Sequence, residues 1–82
     1  MTAPVRADVH VRLAPGVTTR DYERRLREMS GVVHAHVVVG DYDLTVRVAC
    51  EDGAQLRGTM ARLRQAGAQA LAAELIVRTL LG

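Results

Sequence analysis

Residues 32–50 read VVHAHVVVGDYDLTVRVAC, and this stretch decides the fold. Val32 to Val39 is β-branched and too short for a sizeable helix, so it reads as a strand. Val33, Ala35, Val37 and Val39 lie opposite His34, His36 and Val38. Gly40-Asp41 supplies the turn. Tyr42 to Cys50 then alternates, with Leu44, Val46, Val48 and Cys50 against Asp43, Thr45, Arg47 and Ala49. Two alternating runs around such a turn predict a β-hairpin.

Upstream of the hairpin, Val5 to Leu13 alternates strictly, setting Val5, Ala7, Val9, Val11 and Leu13 against Arg6, Asp8, His10 and Arg12. Ala14-Pro15-Gly16 breaks this strand. Thr18 or Thr19 can cap a helix with apolar spacing Tyr22, Leu26, Met29 and with Asp21 and Glu23 in its first turn; Ser30-Gly31 ends it. Downstream, Glu51-Asp52-Gly53 opens a second helix with Leu56, Met60 and Leu63 on one stripe, stopped at Gly67. Gln69 to Leu81 has helix propensity in QALAAEL. The alternation of Leu71, Ala73, Leu75 and Val77, with β-branched Ile76-Val77, makes it a strand instead.

The order β-α-β-β-α-β predicts a ferredoxin-like α+β sandwich, with a four-stranded antiparallel sheet and two helices on one face. Arg6, Asp8, His10, Arg12, His34, His36, Thr45, Arg47 and Glu74 then fall on the other, uncovered face. Val38, Ala49, Ala70, Ala72, Ile76 and Leu80 make that face more apolar than solvent requires, so a homodimer or higher homo-oligomer through the open sheet face is expected.

Composition supports assembly. The 82 residues are 49% hydrophobic yet contain no Phe or Trp and two Tyr, so the core is built from small aliphatic side chains that each bury little area. All eleven basic residues are Arg, and Lys and Asn are absent, a usage typical of high-GC genomes such as the actinobacterial ones. The net charge of +2 is spread among acids along the chain, and neither Tyr sits in a basic strand, which argues against direct nucleic-acid binding. Cys50 is the single cysteine, as expected of a reducing cytoplasm. No run reaches the roughly 20 apolar residues of a membrane span, so no membrane partner is expected.

HVVVGDYDLTVRV at residues 36–48 resembles the G-x-Y-D hairpin of the Lrp/AsnC ligand-binding (RAM) domain. MSGVVHAHVV before it and LAPG at residues 13–16 resemble that family's helix end, second strand and first turn, so the likeness covers essentially the whole chain as a single domain, 1–82. The resemblance implies sheet-to-sheet dimers that assemble further, and small effectors, commonly amino acids, bound near the turn at subunit interfaces. The matching positions are Gly40, Asp41, Tyr42 and Asp43. Gly40 permits close backbone approach, either Asp can meet an ammonium group, and exposed N–H groups can meet a carboxylate. No helix-turn-helix precedes the match, so a stand-alone effector-binding module is expected, with a DNA-binding Lrp/AsnC-type regulator as a candidate partner. The sequence departs from the family in its last strand, where Leu71 and Ala73 stand in place of a Thr-x-Thr.

The histidines define the alternative. His34-x-His36 places two imidazoles on one sheet face, and His10 can join them. They can serve as general acid or base in a cavity between two facing sheets, with Arg47 or Arg12 stabilising an enolate or carboxylate, as in a small cofactor-free cyclase or isomerase. They can equally be interface residues hydrogen-bonded to Asp8 or Glu74. With no third ligand in sight, no metal site is expected, and with no P-loop or dinucleotide glycine fingerprint, no cofactor.

Overall fold

A computed structural model describes residues 4–81 and has the order β1 (Val5–Leu13), α1 (Thr19–Leu26), β2 (Val32–Val37), β3 (Leu44–Cys50), α2 (Gly53–Gln65) and β4 (Ala68–Leu75). Strict alternation in β1 puts Ala7, Val9 and Val11 on one face, where all three are fully buried. The sheet order is β2-β3-β1-β4 and every pairing is antiparallel, so β1 is central and is flanked by strands far from it in sequence. Leu44, Val46, Val48 and Cys50 of β3 complete the apolar face, and Tyr22, Leu26 and Leu63 close it from the two helices. This is the expected ferredoxin-like α+β sandwich.

Local chemistry sets the helix limits. Thr18 Oγ1 accepts the Asp21 N–H at 3.1 Å and Asp52 Oδ1 accepts the Gln55 N–H at 2.8 Å, each satisfying an orphan donor of a first turn. The Tyr22 hydroxyl donates to the Leu63 carbonyl at 2.9 Å, covering a last-turn acceptor of α2 inside the core. Gly67, at φ 132°, ends α2 where a Cβ would meet Val17 Cγ1 at 2.9 Å.

Four boundaries differ from the sequence reading, each for a physical reason. α1 stops at Leu26, and Met29 packs on the core from the following turn. β2 carries a bulge between Val32 and His34, which takes Val33 out of the alternation, and it ends at Val37. The hairpin connection is the loop 38–43 rather than a two-residue Gly40-Asp41 turn, because the Asp43 N–H donates to the Val11 carbonyl and Arg12 holds the Asp41 carbonyl, drawing this stretch toward β1. Val38 lies one residue past β2, its N–H donating to the Asp43 carbonyl at 3.1 Å. β4 ends at Leu75 rather than Leu81: Leu75 opposes Ala7, two residues short of the β1 start, and the Ile76 N–H then donates to the Arg6 carbonyl at 2.8 Å. Ile76 and Leu80 consequently lie beyond the sheet.

Candidate functional site

Direct antiparallel pairing places cross-strand neighbours on the same face. Two rows therefore cross the open face. One runs His34, Arg47, Asp8, Glu74 and the other His36, Thr45, His10, Ala72. Arg47 grips Asp8 with Nε at 2.8 Å and Nη2 at 3.2 Å. That hydrogen bond, more than charge alone, holds the Asp8 carboxyl below its ordinary value.

His10 is committed on all sides. Its Nε2 lies 2.5 Å from Glu74 Oε1, its Nδ1 lies 3.2 Å from Thr45 Oγ1, and its ring sits 5.5 Å from that of Tyr42. His34 and His36 lie on the exposed edge strand with ring centroids 6.1 Å apart. With Asp8, Thr45 and Arg47 they line a cleft of about 280 Å³. His10 does not join them: Thr45 stands between it and His36, which leaves their backbones two strand spacings, about 10 Å, apart. No group of three or more His, Cys, Asp or Glu among the described residues is arranged to hold a metal ion.

The four loop residues have divided tasks. Asp43 is bound to the scaffold, its Oδ2 accepting the Leu13 N–H at 2.8 Å while its own N–H donates to Val11. The Asp41 carbonyl accepts from Arg12 Nε at 2.9 Å and Nη2 at 2.6 Å. Tyr42 folds back over β1, its ring 5.4 Å from the Arg12 guanidinium carbon, within cation–π range. Gly40 has φ 149°, in the region that favours glycine, and a Cβ there would meet nothing within 4 Å. The Asp41 carboxylate has no hydrogen-bond or ion-pair partner among the described residues. Arg12, considered from sequence only as a catalytic cation, is thus the anchor of the loop.

Leu71 and Ala73 pair with Val11 and Val9, so they face the helices, and Leu71 packs on the core. A second feature escaped sequence reasoning. α1 has eight residues and leaves the helix side of β2 uncovered, which opens a groove of about 370 Å³ lined by Leu26, Met29, Val33, Ala35, Val37 and Leu44, among others. The signal available was the early Ser30-Gly31 stop after a single Tyr22-Leu26 repeat.

These features define a ferredoxin-like α+β domain with one open polar sheet face and a pinned acidic loop at the sheet end. The chain belongs to the Lrp/AsnC ligand-binding domain family, whose sequence profile matches residues 6–80. Among solved structures it is similar to a transcriptional regulator from Neisseria meningitidis in complex with L-Met, at 14% identity and TM-score 0.87, covering 99% of this chain and 55% of that one. It is similar to a feast or famine regulatory protein from M. tuberculosis complexed with L-methionine, at 18% identity and TM-score 0.86, covering 96% and 54%. FFRP-DM1 is 27% identical with TM-score 0.79, covering 89% of this chain and 99% of that one. The chain therefore spans about half the length of the two regulators but nearly all of FFRP-DM1. No curated protein matches it.

Proposed function

We propose that the protein is a cytoplasmic effector-sensing module that self-associates through its open sheet face and binds a small amino-acid-like or carboxylated metabolite at the loop 38–43. The observation that carries the reading is the unequal use of the two loop acids. Asp43 is spent on the scaffold, whereas the Asp41 carboxylate is exposed and unpaired among the described residues, beside a backbone held in place by Arg12. A pre-positioned acid of this kind suits an ammonium group without a cost of reorganising the loop. Two related regulators were solved with L-methionine, which supports an amino-acid ligand class. The output is passed to a DNA-binding Lrp/AsnC-type regulator by co-assembly.

The test is a thermal-shift screen of amino acids, keto acids and acyl compounds on the wild type, Asp41→Ala and His36→Ala. Stabilisation by an amino acid that disappears only in Asp41→Ala is the expected result. Loss only in His36→Ala would move the site to the sheet-face cleft and revive the catalytic alternative; no stabilisation by any compound would remove the effector reading.

A further inference from the structure

α1 carries two neighbouring stripes at i, i+4, i+7 spacing, set one residue apart. Thr19, Glu23 and Leu26 border the groove of about 370 Å³ over β2, and Arg20, Arg24 and Arg27 ring a second recess of about 390 Å³. Glu23 and Arg27 line both, so the two hollows adjoin along the helix. Their chemistry differs. The groove is apolar, with buried Leu26 and Leu44 and with Val33 and Val37 left 53% and 69% exposed. In the recess the Glu23 carboxylate is taken by Arg27, whose Nη2 lies 2.7 Å from its Oε2. Arg24 comes no nearer to Asp21 than 3.8 Å, beyond hydrogen-bond reach, and Arg20 forms no ion pair among the described residues. Two guanidinium groups therefore keep free donors at the mouth of an apolar trough.

We propose that this composite hollow binds an amphipathic anion, a small molecule with an acyl chain in the groove and a carboxylate head on Arg20 and Arg24. A purely apolar occupant would leave the arginines unused, and a small anion such as acetate would leave the valines in water. One molecule with both parts satisfies them together: its chain removes exposed apolar surface from water, and its head takes charge-assisted hydrogen bonds. The groove volume falls within the roughly 300–1,000 Å³ of small-molecule sites, where a few polar groups at one end of an apolar pocket fix the ligand's orientation. The site lies on the helix side of the sheet, away from the open face. Its charge is also opposite to that of the Asp41 carboxylate, since a positive mouth repels the ammonium group that suits the loop.

The experiment is isothermal titration calorimetry of the full chain with hexanoate, octanoate and decanoate, each below its micelle concentration, and with decanol. Affinity should rise about three- to four-fold per added methylene. Decanol should bind about ten-fold more weakly than decanoate, and the double variant Arg20→Gln/Arg24→Gln should lose about the same factor for decanoate alone. Both arginines are exposed, so melting curves are expected to show that this variant stays folded. Val37→Asp, which puts a charge of the ligand's own sign on the groove wall, should weaken decanoate as well, whereas Asp41→Ala should leave it unchanged. No binding of any of the carboxylates overturns the proposal. So does decanol binding as tightly as decanoate, which would be adsorption to an apolar surface, or a loss of decanoate binding confined to Asp41→Ala, which would place the anion at the loop.

Discussion

The Asp43 carboxylate accepts the backbone N–H of Leu13 at 2.8 Å, two residues beyond the carbonyl to which Asp43 donates its own N–H. This side chain acts as an extra rung of the β1–β3 ladder. Asp43→Ala removes this exposed hydrogen bond and is expected to lower stability by about 0.5–1.5 kcal/mol, whereas Asp43→Asn, which keeps an acceptor, loses less. Asp41→Ala is expected to change stability by no more than about 0.5 kcal/mol. Urea denaturation of the three variants checks the order; an Asp41→Ala as destabilised as Asp43→Ala would reverse the division of labour in the loop.

Gly40 and Gly67 both hold positive φ, yet they differ in surroundings. At Gly40 an alanine meets only backbone strain, an expected cost of about 1–2 kcal/mol. At Gly67 the same strain is joined by a contact with Val17 at 2.9 Å, so Gly67→Ala is expected to be the more damaging of the two. Melting temperatures measured side by side decide it.

Tyr22 is fully buried and desolvation pushes its phenol from 10.0 up to about 12. Because the folded state keeps a proton that the unfolded chain releases above its ordinary value, stability falls as pH rises from 10 to about 12. Tyr22→Phe removes this alkaline slope and, by leaving the Leu63 carbonyl without its donor, costs about 1–3 kcal/mol at neutral pH. Denaturation curves across the alkaline range separate the two effects.

Asp8 shows the opposite sign. Its carboxyl is held below the ordinary 3.8, first by the Arg47 hydrogen bond, so the folded state favours the charged form. The pair's contribution is present at neutral pH and is lost as the medium falls below 3.8 toward the lowered folded value. Asp8→Asn should make the acid limb of the stability profile shallower. The pair is half open to solvent, so the change at neutral pH is small.

Much of this architecture was legible because β1, β3 and α2 carry regular periods, and the burial of Val9, Val46 and Leu63 follows from them. Less legible were features set by a partner element. Nothing in Gln69 to Leu81 itself marks Leu75 as the last sheet residue, because the alternation of Leu71, Ala73, Leu75 and Val77 runs past it. The G-x-Y-D stretch marks the loop in sequence, but two aspartates two residues apart look equivalent there. Only the approach of Arg12 and Leu13 from another strand distinguishes them. The three histidines likewise look like one set until the strand order inserts Thr45 between two of them.

The central position of β1 has a consequence for the birth of the molecule. Within this domain β1 precedes both of its partners and is hydrogen-bonded only to residues 44–50 and 68–75, so its two backbone edges stay unpaired until those strands are made. Such distant pairing slows folding and leaves an alternating, sticky strand waiting during synthesis. Arg6, Asp8, His10 and Arg12, interleaved with its valines, give the nascent strand a charged flank that discourages premature association before β3 and β4 arrive.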